Sequence, residues 1–115
     1  MALGVSVMNC VRDIEAGESP LDAAKRELLE ETGYVSEEWF EFGSYIPNSS
    51  GCNNCCYTFI AINIKKVAEQ ALDITEEIKL HFLKIEEIKK MMIDGRIAEA
   101  VMLAPLWRYF EEKKF

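Results

Sequence analysis

Leu3, Val5, Val7 and Val11 alternate with small or polar residues, a period of two that predicts a first strand between Ala2 and Val11. A loop from Arg12 to Glu18 follows, and the pattern then changes. Ser19-Pro20 reads as an N-cap with proline at the first helical position, and Asp22 lies in the first turn near the positive end of the helix dipole. The helix is expected to run to Thr32, where Gly33 can take the left-handed conformation that ends it. Phe40, Phe42 and Tyr45 suggest a second strand, broken by the turn-rich run Pro47 to Gly51. Tyr57 to Ile64, rich in β-branched and aromatic residues, is long enough for a central strand. After a polar connection over Lys65 to Thr75, Ile78, Leu80 and Phe82 alternate with Lys79 and His81 and predict a third strand after the helix. A short helix over Glu86 to Asp94, stopped by Gly95, and a terminal helix from Ala98 to about Glu112 complete the reading. Pro105 should kink or divide the last helix, because it removes a donor and clashes with the preceding turn. Strands and helices mixed in this order imply a single layered α+β domain over residues 1–115.

Composition narrows the partners. The chain has a formal net charge of -7, which opposes broad attraction to nucleic-acid phosphates, so no nucleic-acid partner is expected. The apolar start has no basic residue before it and is too short to span a bilayer, which argues for a cytoplasmic protein with no membrane partner. Cys10, Cys52, Cys55 and Cys56 then read as reduced thiols. The clustering of the last three raises zinc, which wants four nitrogen or sulfur ligands; Cys10 and the single His81 are the other candidates, and small buried or half-buried residues are the simpler reading.

The chemistry is concentrated in the predicted acidic helix. Glu27 has Glu30 three residues on and Glu31 four residues on, so three carboxylates crowd toward one side, each like-charge pair costing roughly 0.2–0.5 kcal/mol. Arg26 can pair with Glu30 and relieve part of that repulsion. A hard divalent cation would relieve the rest, since Mg²⁺ takes oxygen ligands and bridges carboxylates to substrate phosphates. Spacing alone also allows an ordinary solvated acidic face.

The segment from Gly17 to Tyr34 resembles the Nudix box. Glu18, seven further residues, Arg26-Glu27, the aliphatic Leu28, Leu29, Glu30-Glu31, Thr32 and Gly33 fit its fixed positions, with Tyr34 in the final apolar slot. Segments 47–61 and 72–109 are weakly similar to strand and terminal-helix segments of bacterial Nudix hydrolases acting on nucleotide sugars. The resemblance implies an α/β/α sandwich around a mixed sheet, with Glu27 and Glu31 as principal Mg²⁺ ligands and Mn²⁺ as a substitute. It implies Glu30 as a further ligand or holder of metal-bound water, Arg26 as the residue orienting the carboxylates, and Glu18 as support for the loop or the metal. Glu77, in the Glu76-Glu77 pair, is the implied base or additional ligand; a solvated strand entrance is the plainer reading of that pair. Trp39, Tyr45, Tyr57 and Trp107 could stack on a nucleobase, although core positions are the commoner use of such aromatics. The implied reaction is hydrolysis of the diphosphate linkage in a small nucleoside diphosphate derivative, such as ADP-ribose or a nucleotide sugar.

Two departures support an alternative. Arg12 stands where the box has glycine, and eleven residues precede it where the family has several strands. A Nudix-derived binding or self-assembly module without catalysis would tolerate both. The short start also leaves a sheet edge to be covered, which leads to the expectation of a homodimer paired through the first strand.

Overall fold

The computed structural model describes residues 6–11, 14–45, 55–72, 77–97 and 100–113. The chain forms two compact units, Met1–Leu80 and His81–Phe115. In the first, the described elements are β1 (Val7–Val11), α1 (Pro20–Thr32), β2 (Tyr34–Val35), β3 (Glu38–Tyr45), β4 (Cys56–Ile62) and β5 (Lys65–Lys66). The second contains α2 (Ile85–Ile93) and α3 (Ala100–Lys113). The class is the α+β expected.

β4 is the centre of an antiparallel sheet ordered β1-β4-β3. Its residues Cys56, Thr58, Phe59 and Ala61 are buried, in keeping with its central place. The registers Val7↔Ala61↔Trp39 and Asn9↔Phe59↔Glu41 set the alternation. Tyr57, Phe59 and Ala61 share one face by the two-residue period of the strand; Thr58 and Ile60 share the other. On the first face Phe59 and Val11 pack with Ala23 and Ala24 of α1, and Ile14, Leu21, Trp39 and Tyr57 surround them. Two alanines on the buried side of α1 let the helix backbone come close to the sheet, where Asn9 Nδ2 donates to the Ala24 carbonyl at 3.2 Å. Burying a side chain the size of Phe59 contributes about 2–3 kcal/mol. Between Glu41 and Gly43 the β3 register slips by one residue, and Gly43 takes φ 128° at this bulge.

Several boundaries agree with the sequence pattern for physical reasons. Ser19 caps α1, accepting from the Asp22 amide at 3.1 Å, with Pro20 next in line. Gly33 ends it at φ 78°. Gly95, also at φ 78°, follows Asp94, the C-cap of α2. α3 begins at Ala100 and is not divided at Pro105, whose ring is fully buried. β4 stops at Ile62 instead of Ile64 because Asn63 turns into the left-handed region at φ 54°.

The expected strand at Ile78, Leu80 and Phe82 is not formed: residues 77–84 have no regular structure. A strand needs a ladder partner. Here the Ile78 carbonyl accepts instead from the side chain of Gln70 at 3.0 Å, and Phe82 is 61% exposed. The segment read as a polar connection contains a pairing that the pattern does not signal, β5 against β2, with Tyr34↔Lys66 and Val35↔Lys65. In the second unit Met92, Pro105 and Phe110 are buried. Among the described residues no helix is long and apolar enough to cross a membrane.

Candidate active site

The site is built around the start of α1. Ahead of it the chain makes a tight turn with Gly17 at φ 79°, closed by the Glu18 amide on the Glu15 carbonyl at 3.0 Å. The Glu15 amide in return donates to Glu18 Oε1 at 3.1 Å. The Glu18 side chain is thereby set beside α1 before Arg26 is considered.

Arg26 lies on the second turn of α1, within reach of that loop. Its Nε donates to Glu18 Oε2 at 2.9 Å and its Nη2 to Glu18 Oε1 at 3.1 Å, a two-point fork that an ammonium could not make. Nη1 reaches Glu30 Oε2 at 3.4 Å, one turn farther along, and Nε lies 3.8 Å from Glu15 Oε1. One guanidinium therefore gathers three carboxylates. The pair is well sheltered for a surface contact, with the side chains of Arg26 and Glu18 26% and 15% exposed. The hydrogen bonds from Arg26, reinforced by the Glu15 amide, hold the Glu18 carboxyl below the usual carboxylate range against the opposing effect of desolvation. Arg26 is shifted upward, chiefly by its hydrogen bonds to Glu18. Both groups are charged across the neutral range.

Glu27 and Glu31 lie one turn apart on α1, and both are half-buried. Glu27 Oε1 is buried. Glu30 is exposed apart from its contact with Arg26. Among the described residues no three His, Cys, Asp or Glu side chains converge closely enough to hold a metal as they stand. The donor set nevertheless suits a hard cation: its atoms are carboxylate oxygens, presented along one and a half turns of a rigid element. Glu18, in the loop ahead of the helix, has both its oxygens already engaged by Arg26. Glu77 is exposed in the irregular segment next to Ile78.

The C-terminal end of α1 is held by a different set of groups. The Gly33 carbonyl accepts from the amides of Val67 and Ala68 at 2.9 and 3.1 Å, and the Glu30 carbonyl from that of Ala71 at 2.7 Å. Gln70 Nε2 donates to the Glu31 carbonyl at 2.7 Å. Carbonyls that a helix end leaves without intrahelical partners are thus covered by residues 67–71. Neither Glu15 nor Gln70 stands out in the sequence. Glu15 has a weak signal, an acid three residues before Glu18 in a short loop. Gln70 has none, since it binds a carbonyl 39 residues away.

Other candidates fall elsewhere. Trp39 packs on the core and donates from Nε1 to the Ser36 carbonyl at 2.9 Å, and Tyr57 packs on the same core. Trp107 and His81 are exposed residues of the second unit. The side chain of Tyr45, and Arg12, Cys52 and Glu76 altogether, lie outside the described residues. Cys10 and Cys55 are half-buried and Cys56 is buried, with Cys10 Sγ 3.5 Å from the hydroxyl of buried Thr58.

No curated protein matches the chain. A family model described as NUDIX domain matches residues 13–104, taking in α1, the turn before it and most of both units. A match over that much of the sequence, with the Glu18 to Gly33 motif inside it, shows that the chain belongs to the NUDIX domain family and has a function of the Nudix hydrolase kind.

Proposed function

We propose that the protein is a Mg²⁺-dependent pyrophosphohydrolase that cleaves the diphosphate linkage of a small nucleoside diphosphate derivative, ADP-ribose or a nucleotide sugar, with Mn²⁺ able to replace Mg²⁺. The observation that carries the reading is the two-point Arg26–Glu18 fork, extended to Glu30, on the helix that carries the box glutamates. Arginine committed in this way fixes the rotation of α1 against the preceding loop. Glu27 and Glu31 then share a side of the helix as the principal ligands, with Glu30 beside them and Glu18 as the support of the loop. A bound cation would neutralise charge on the phosphate oxygens and make a water more acidic. Glu77 would accept the proton of the attacking water. Binding energy and positioning supply much of the remaining acceleration, because a dianionic diphosphate must be brought to a helix that is itself acidic.

We read residues 1–115 as one Nudix-like domain, since the family match runs across both units. Reading the cysteines as reduced thiols places the protein in a reducing compartment, the cytoplasm. Homodimer formation through β1 is supported by its place at the edge of the described sheet.

A catalytically inactive binding or self-assembly module is the second reading, favoured by the absence of a preassembled three-residue metal cluster among the described residues. Calorimetric titration with Mg²⁺ and a hydrolysis screen over nucleotide sugars, ADP-ribose, dinucleoside polyphosphates and nucleoside triphosphates separate the two. The enzyme reading requires that Glu27→Gln or Glu31→Gln weaken Mg²⁺ binding by about tenfold or more, the loss of one charge-assisted ligand. Turnover of none of these compounds, with Mg²⁺ binding unaffected by both substitutions, would falsify it.

A further inference from the structure

The side-chain amide of Gln70 has two protons, and both are used. Nε2 donates to the Glu31 carbonyl in the last turn of α1 at 2.7 Å and to the Ile78 carbonyl at 3.0 Å. One carbonyl belongs to a box glutamate; the other follows Glu77 in sequence. Residues 77–80 have no sheet ladder to hold them, so this bridge does for the segment what a neighbouring strand would have done. The backbone on the near side of the bridge is itself anchored, because the Val67 and Ala68 amides are bound to the carbonyl of Gly33, the C-cap of α1, and the Ala71 amide to that of Glu30. Gln70 thus projects from a fixed support.

We infer that Gln70 is a positioning residue, a clasp that ties the segment carrying Glu77 to the cation-binding end of α1 and couples the order of the two. The inference rests on the reading of α1 as the metal helix. Any ion that tightens the last turn through Glu31 also steadies the carbonyl to which Gln70 is bound, and coupling between two sites is reciprocal. The residue type suits the task. A primary amide offers two donors at fixed divergence without adding charge beside an acidic helix, whereas a carboxylate of the same shape would set acceptor against acceptor.

The test is amide hydrogen exchange of residues 77–80 in the full chain, with and without Mg²⁺ alone, on wild type, Gln70→Ala and Gln70→Lys. Without metal, Gln70→Ala removes both donations, and loss of the one to Ile78 should speed exchange in the segment by about three- to tenfold, while the thermal midpoint changes little. Gln70→Lys keeps donors at similar reach and should restore at least part of the protection. Mg²⁺ should slow exchange at 77–80 in wild type and leave it unchanged in Gln70→Ala. Equal metal-free exchange in wild type and Gln70→Ala would overturn the clasp. Equal Mg²⁺ protection in both would overturn the coupling while leaving the metal reading intact. A wild type that binds no Mg²⁺ by calorimetry defeats the metal reading and the coupling together, and the metal-free comparison still decides the clasp.

Discussion

The two ends of α1 are held by opposite means. At the front a side chain reaches back: Arg26 and Glu18 meet as charges, and the cap is the Ser19 hydroxyl. At the back the contacts are neutral and mostly main-chain, with residues 67–71 laid over the terminal carbonyls and Gly33 packed beneath Ala68. The difference separates adjustability from geometry. A charged fork can respond to protons, salt or an incoming cation; a backbone-to-backbone seam can only be present or broken. The carboxylates of the box lie between these two supports, so the front is suited to tuning their charge and the back to keeping their place.

The largest effect should come from breaking the back. At Gly33 a Cβ would collide with the Ala68 carbonyl oxygen, and φ 78° is already costly for any side chain. Gly33→Ala should lower stability by about 2 kcal/mol or more, measured by urea unfolding, since left-handed strain and a backbone clash act together. A loss no greater than that of an ordinary surface substitution would show that the seam with 67–71 is loose.

Next comes the cap at the front. Ser19→Ala removes the oxygen that accepts from the Asp22 amide and should cost about 1 kcal/mol by the same measurement. If it cost as much as Gly33→Ala, the claimed asymmetry between the ends would be gone.

The smallest effect is the one that sharpens the comparison most, because the front is held by a pair of charges and the back by neutral backbone contacts. Glu18 has its carboxyl held down in the folded state by Arg26 and the Glu15 amide. A lowered folded value means stability that is fully present above the usual carboxylate range and is lost as the pH falls through that range to the folded pKa. Thermal midpoints of wild type should therefore fall on acidification more steeply than those of Arg26→Gln, in which Glu18 has lost its main partner. The Gly33→Ala variant should retain the wild-type slope at a lower midpoint. Parallel curves for wild type and Arg26→Gln would remove the fork from the account of what holds the front.

Most of α1 was legible because its signals are local. Ser19, Pro20 and Gly33 act on backbone groups within a turn of themselves, and the carboxylate spacing of Glu27, Glu30 and Glu31 follows from helical periodicity alone. Central strand β4 was legible for a related reason, since a run of β-branched and aromatic residues favours an extended chain wherever it lies in the sequence. The alternation at Ile78, Leu80 and Phe82 was equally regular and misled, because alternation describes a chain that could enter a ladder and says nothing of whether a neighbour is there to receive it. The same non-locality hid β5, which pairs Lys65 and Lys66 with Val35 and Tyr34, 30 and 32 positions earlier, and it hid Gln70.

By itself, then, the order of residues determined the helix with its caps, the carboxylate pattern along it, and the family to which both point. Tertiary structure decided which residue Arg26 would hold most tightly, Glu18 in two contacts over Glu30 in one. It also decided what closes the far end of the helix, where the Glu30, Glu31 and Gly33 carbonyls are met by residues 67–71. The reason is the range of the forces involved: propensity and capping act within one turn of chain, whereas a distant amide is found only once folding has brought it there.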